Sequence, residues 1–266
     1  MPLAPTYQWL SPNGAEASAA AYTAAVGLDA AVEWQMQPGE QTALVALLAG
    51  LRPKVALEVG SRYGGSMQVL HRFADRVISL DIDPTCRERL GPKFPKAEFV
   101  PGDSKATLGP LMQRLAGEGA EVGFLLIDGD HSAAGVRADV AGLAGYRPVC
   151  PLFVVLHDSF NPAVREGIRT APWAENAYVH AVELDYLPGV MTQDAEAYRE
   201  MWGGFALALL LPEPRSGELI VTARMDRLFR IVYPRSAHWP LDPATLARRV
   251  VRKCRKLAGL GKPANR

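Results

Sequence analysis

Along the chain, short unbroken apolar runs alternate with stretches whose apolar residues recur every three or four positions. The runs are VALEVG (55–60), RVISLDID (76–83), AEFVPGDS (97–104), VGFLLIDGD (122–130) and CPLFVVLHDSF (150–160). Between them, MQVLHRFA (67–74), PTCRERLGPKF (84–94), ATLGPLMQRLAGEG (106–119) and SAAGVRADVAGLAGY (132–146) have helical spacing, and GEQTALVALLAGL (39–51) precedes the first run. Strands that are apolar on both faces need helices on both faces, which is the signature of a parallel sheet. Right-handed crossovers then give a doubly wound α/β fold. After residue 160 the rhythm breaks, and residues 160–203 read as an irregular, cap-like insertion rich in Pro, Trp and Tyr. FALALLLP (205–212) and GELIVTARMDRLFRIVYP (217–234) supply late strands, including an antiparallel one. The expected organisation is a lead-in over 1–38 with a helix at 15–26, a folded domain over 39–235, and a basic tail over 236–266.

Ligands of a doubly wound sheet sit beyond the carboxyl ends of its strands. Every unusual polar cluster falls at such an end: Glu58–Ser66, Asp81 with Asp83, Asp103 with Ser104, Asp128–His131, and His157 with Asp158. Five such coincidences point to one site.

The composition narrows the rest. The chain has 266 residues, 48% hydrophobic, with a formal net charge of +1, so no global charge argues for a nucleic-acid or membrane partner. Cys86, Cys150 and Cys254 are scattered and read as reduced residues of a cytoplasmic protein. The first residues lack a basic segment followed by an apolar one, so a secretory signal is not expected. No apolar run approaches the roughly 18 residues of a membrane span.

In the turn EVGSRYGGS (58–66), Gly60 permits a tight turn, while Gly64 and Gly65 let backbone and ligand approach closely. Its spacing is neither GxGxxG nor a P-loop, and Glu58 would repel a pyrophosphate, so a positively charged ligand suits it better. Asp81 is placed to hold a ribose diol. Asp103 and Ser104 precede a helical run and are equally suited to cap it. Asp128 ends the fourth run and His157-Asp158 the fifth. As neighbours, their acids repel unless a cation or shared proton neutralises them. An oxygen-rich set favours Mg²⁺.

EVGSRYGGS, LDIDP, GDS, LLIDGDHSAAGVRADV and VLHDS together resemble class I S-adenosylmethionine-dependent methyltransferases, in particular the branch of cephalosporin-hydroxylase-like and macrolide-sugar O-methyltransferases. The likeness is strongest over residues 50–160. It implies a mostly parallel, seven-stranded Rossmann-like sheet with an antiparallel C-terminal strand. It also implies that Glu58, Gly60, Ser61, Gly64 and Ser66 line the methionine end of the cofactor, with Asp128 nearby. Asp81 would hold the ribose, and Asp103 with Ser104 would lie beside the adenine. A divalent metal would be held by Asp128, His157 and Asp158. His157 stands where such enzymes often carry a carboxylate, which admits Mn²⁺, Fe²⁺ or Zn²⁺ beside Mg²⁺. Asp130 matches the general base of the sugar methyltransferases. His131 is the competing base, with an unperturbed pKa of about 6.5.

The implied activity is O-methylation of a sugar or other small natural-product hydroxyl, by a chain that forms a homo-oligomer and binds no nucleic acid. The rival readings are an NAD-dependent oxidoreductase on a similar sheet and a methyltransferase-like binding protein without turnover. The tail ARRVVRKCRKLAGLGK (247–262) reads as a solvated basic helix face, or as an amphipathic helix on an anionic surface.

Overall fold

The computed structural model describes residues 26–193 and 198–241. The expected helix at 15–26 lies, but for its last residue, outside them, as does the basic tail beyond residue 241. Helix α1 (Pro38–Leu51) opens with proline at its first turn and closes at Arg52, a left-handed residue just before Pro53. Five strand–helix steps follow: β1 (Val55–Val59), α2 (Gly65–Phe73), β2 (Arg76–Asp81), α3 (Cys86–Leu90), β3 (Ala97–Pro101), α4 (Ser104–Gly117), β4 (Val122–Ile127), α5 (Ala133–Ala141), β5 (Leu152–His157) and α6 (Pro162–Thr170). Side-chain caps open three of the helices: Asp103 for α4, Ser132 for α5 and Asn161 for α6. The expected helix over 84–94 shrinks to α3, because Gly91-Pro92 ends it.

Beyond α6 come β6 (Val179–Leu187), the two-residue strands β7 (Val190–Met191) and β8 (Met201–Trp202), β9 (Phe205–Leu210), β10 (Ile220–Thr222) and helix α7 (Asp226–Val232). The main sheet runs β10-β6-β9-β5-β4-β1-β2-β3, and only β9 is antiparallel to its neighbours. The sheet is thus mostly parallel and doubly wound, as expected, but has eight strands instead of seven. The extra strand is β10, a three-residue edge with every residue exposed.

Two other expectations are corrected. Residues 160–203 are not wholly an irregular cap, since β6 is a long strand of the main sheet. Its pattern is obscured because an inward position carries Asp185, which Arg165 of α6 meets through two hydrogen bonds of 2.6 and 3.1 Å. The 217–234 stretch is mostly not strand. Leu228, Phe229, Ile231 and Val232 have helical spacing, and they form α7.

Alternate side chains of the central strands feed two cores. Leu57, Val59, Leu125 and Ile127 pack with α4 and α5, while Ala56, Phe124 and Leu126 pack with α1 and α2. The register brings the strand ends together, with Val59 opposite Ile127 and Ile127 opposite Leu156. The next residues of three adjacent strands, Gly60, Asp128 and His157, therefore emerge side by side. Among the described residues no helix is long and apolar enough to cross a membrane.

Candidate active site

A cleft of about 920 Å³ runs along these strand ends. Of the residues singled out in the sequence, Gly60, Ser61, Ser66, Asp81, Asp103, Ser104, Asp128, Asp130, His131, His157 and Asp158 all line it. Glu58 and Gly64 do not. Gly64 caps α2 with φ 88°, and a Cβ there would meet the Phe94 ring at 2.8 Å. Its lack of a side chain serves packing against Phe94 and Leu90.

Gly60 makes the tight turn that the sequence suggested. With φ 86°, it passes so near β4 that a Cβ would sit 2.3 Å from the Asp128 carbonyl oxygen. Beneath the turn lies Glu58, fully buried, accepting hydrogen bonds from the hydroxyls of Ser66 and, at 2.7 Å, Ser61. Burial drives its pKa up to about 7 against those two hydroxyls, with the charges of Asp128 and Asp81 adding to the rise. Asp81 ties the turn to β2. Its Oδ2 accepts from the backbone N–H of Ser61 and Arg62 at 2.8 and 3.1 Å, and its Oδ1 from that of Asp83. At the far end, Asp103 accepts from the Lys105 N–H and so realises the capping role as well as facing the cleft.

The other end holds two carboxylates and two imidazoles. His157 Nδ1 lies 2.9 Å from Asp128 Oδ1 and 3.6 Å from Asp158 Oδ2. His131 Nε2 lies 3.2 Å from each of the same two oxygens. Asp158 adopts φ 56°, a left-handed conformation rare for residues other than glycine, Asn and Asp. Its Oδ1 accepts from the Gly203 N–H at 2.5 Å, which holds it in place. Burial pushes Asp128 upward, but His157 and His131 outweigh it and hold the carboxyl down at about 2. Burial opposes the charge on His157, yet Asp128 raises its pKa well above the usual value. Asp158 is raised, by burial first and by Asp128 next. Oxygen or nitrogen atoms of Asp128, His157 and Asp158 all come within 4.8 Å of one another, compact enough for one metal ion.

Asp130 stands apart from this cluster. Its Oδ2 pairs with Lys105 Nζ at 2.7 Å and its Oδ1 accepts from Ser132 N–H. Lys105 pulls its pKa down to about 2, burial opposes as the next largest effect, and the Ser132 N–H adds to the lowering.

Of three further neighbours, Glu40 and Trp34 were not legible in the sequence, while Trp202 falls in the Trp-rich stretch expected over residues 160–203. Glu40 of α1 is buried, and its Oε2 lies 3.4 Å from His157 Nε2. Trp202 meets His131 edge-on at 5.7 Å. Trp34 covers Gly65, where a Cβ would meet its indole at 2.5 Å. The doublet Gly203-Gly204 carried the signal of a tight turn.

No protein-family model matches the chain, and no curated protein is similar to it. Several solved structures are. An O-methyltransferase from Bacillus cereus in complex with SAH is 17% identical, with 77% of this chain and 96% of that one covered and a TM-score of 0.46. The O-methyltransferase TomG from Streptomyces achromogenes, involved in tomaymycin synthesis and in complex with SAM, is 17% identical over 76% of this chain and 91% of its own, with a TM-score of 0.48. Cofactor-bound Rv0187 from MTB is 21% identical over 80% and 99%, with a TM-score of 0.45.

Proposed function

We propose that the chain is an S-adenosylmethionine-dependent O-methyltransferase, assisted by a divalent metal, that methylates a hydroxyl of a sugar or other small natural product. One observation carries this reading. A single cleft joins a turn built over a buried carboxylate to a cluster able to hold a metal and take a proton.

The residues suit both groups. Glu58 has hydroxyls as its hydrogen-bond partners, and a cationic ligand group would give its charge a counterpart. Asp81 keeps a carboxylate on the cleft wall beside it, suited to a ribose diol. Asp128, His157 and Asp158 supply two oxygens and a nitrogen to one point, a donor set for a divalent ion with room left for an acceptor oxygen. When bound, S-adenosylmethionine supplies a methyl group on a sulfonium, activated for in-line displacement. When bound, the metal lowers the pKa of a hydroxyl it contacts.

The chain's own part is to position the acceptor, take its proton and keep water out. His131 is the base that the geometry favours, because it sits at the cluster's rim and its Nε2 faces both carboxylates. The hydrogen bond to Asp128 raises its pKa, with burial opposing. Asp130, committed to Lys105, is a poor base. Trp202 offers a flat apolar face next to His131, as a sugar or aromatic ring would use. His131 would take the proton of the acceptor oxygen, and S-adenosylmethionine held in the cleft would supply the methyl group to that oxygen and leave as the neutral thioether.

Calorimetry with S-adenosylhomocysteine and with NAD, followed by a methyl-release assay across hydroxylated acceptors with and without chelator, tests the reading. Homocysteine-nucleoside binding with chelator-sensitive turnover is expected. NAD binding in its place would overturn it. Cofactor binding that persists beside a complete lack of turnover would favour a binding protein.

A further inference from the structure

Glu40 belongs to the amino-terminal helix, yet it reaches across 164 residues to the turn after β8. Its Oε1 accepts from the Gly204 N–H at 2.5 Å and its Oε2 from the Gln37 N–H at 2.6 Å. The backbone of Gly203 comes so close that a Cβ there would stand 2.6 Å from Oε1. Capping α1 accounts for the Gln37 contact alone. What remains is Oε2 at 3.4 Å from His157 Nε2, a contact outside hydrogen-bond geometry, and that nitrogen is buried with no hydrogen-bond partner among the described residues. The other ring nitrogen, Nδ1, points to Asp128 and Asp158.

A neutral imidazole carries one N–H and one lone pair, and a partner at one nitrogen decides which is which. An acceptor-only carboxylate fixed by two backbone N–H groups faces Nε2, so once an ion takes Nδ1 in place of its 2.9 Å hydrogen bond to Asp128, the ring proton belongs on Nε2 beside Glu40. We propose that Glu40 is a positioning residue that holds the His157 proton on Nε2, leaves the Nδ1 lone pair to the ion site of Asp128 and Asp158, and so makes this centre prefer a first-row transition ion to Mg²⁺. The inference rests on the metal-assisted reading above. An imidazole oriented by an outer carboxylate is a stronger and better-aimed ligand, and nitrogen favours Mn²⁺, Fe²⁺, Co²⁺ or Zn²⁺ over Mg²⁺.

The test uses the full chain with Co²⁺, Zn²⁺ and Mg²⁺, each titrated alone by calorimetry into the wild type, Glu40→Gln, His157→Ala, His131→Ala and Asp128→Asn. Glutamine keeps an acceptor oxygen for Gly204, and thermal unfolding confirms that each variant folds. The wild type is expected to bind Co²⁺ and Zn²⁺ more tightly than Mg²⁺. Glu40→Gln should weaken Co²⁺ by about 10–100-fold and leave Mg²⁺ nearly unchanged. In zinc-loaded wild type labelled with ¹⁵N-histidine, the resonances lost in His157→Ala but kept in His131→Ala should show a protonated Nε2 and a zinc-shifted Nδ1.

Equal losses of Co²⁺ and Mg²⁺ in Glu40→Gln would reduce Glu40 to a structural tie and overturn the inference. So would a protonated Nδ1 on zinc-bound His157, or a wild type that prefers Mg²⁺. Asp128→Asn abolishing ion binding while His157→Ala leaves it intact would sink the inference and spare the metal site. A wild type that binds none of the ions would sink both, while S-adenosylhomocysteine titrated into the same sample would still report on the cofactor reading.

Discussion

Replacing Glu58 by glutamine should make the empty protein more stable and its hold on a cationic ligand weaker. The wild-type carboxyl is fully buried, and its pKa in the folded state is about 7 against an ordinary 4.5. Between those two values the folded chain binds a proton that the unfolded chain has released. Its stability therefore falls as pH rises through the window, and the full penalty is present above about pH 7. The difference of about 2.5 units corresponds to about 3 kcal/mol. Glutamine imitates the protonated acid, with one oxygen to accept and an amide to donate. The two serine hydroxyls can turn to suit it, since Ser61 has a second partner in Ser79 Oγ at 2.7 Å. Urea unfolding of both proteins from pH 4.5 to 8 isolates this one group, because every other titration cancels in the difference. The variant should match the wild type near pH 4.5 and exceed it by up to about 3 kcal/mol at pH 8. Calorimetry at pH 8 should show the reverse for S-adenosylhomocysteine, whose ammonium loses an attractive charge and binds at least about tenfold more weakly. A stability difference that does not change with pH, or a variant less stable at pH 8, would refute the reasoning.

Four further outcomes are expected. Gly60→Ala forces a left-handed alanine against the Asp128 backbone and should cost about 3 kcal/mol in urea unfolding, with loss of S-adenosylhomocysteine binding. Arg165→Ala strands the buried Asp185 and should cost about 3–5 kcal/mol, while Arg165→Met with Asp185→Leu recovers most of it. Burial raises the pKa of Asp139 on α5 to about 6 from 3.8, so stability should fall as pH rises across that window. Asp139→Asn should remove that slope, gaining up to about 3 kcal/mol near pH 7. His131→Ala should lower kcat at least about 100-fold, whereas Asp130→Asn should change it only severalfold; the opposite order would make Asp130 the base.

Which of these groups can be read from the sequence follows from how each is held. Strands β1, β2, β4 and β5 are largely buried on both faces, so their side chains are mostly apolar until near the carboxyl end. The acids at their ends break the pattern where the chain leaves the core, which is why Asp128, His157 and Asp158 could be grouped before any coordinates. Strand β6 hid because it breaks the rule in its interior, where Asp185 is tolerated through Arg165 and the Met225 N–H, both outside the strand. Glu40 hid for the opposite reason. As the third residue of a helix that opens with Gln37 and proline, it has a sufficient local explanation as a cap, and nothing nearby marks a partner at Gly204 or His157. Its second role exists only once the amino-terminal helix packs against the turn between β8 and β9. The same carboxylate thus ties α1 to the turn at Gly203-Gly204 and flanks the acid–histidine cluster. A chain whose first helix is displaced should retain the central strands and the glycine turn but leave His157 without its outer carboxylate. The parts of the site written at strand ends are local and legible; the part that orients them is created by tertiary closure.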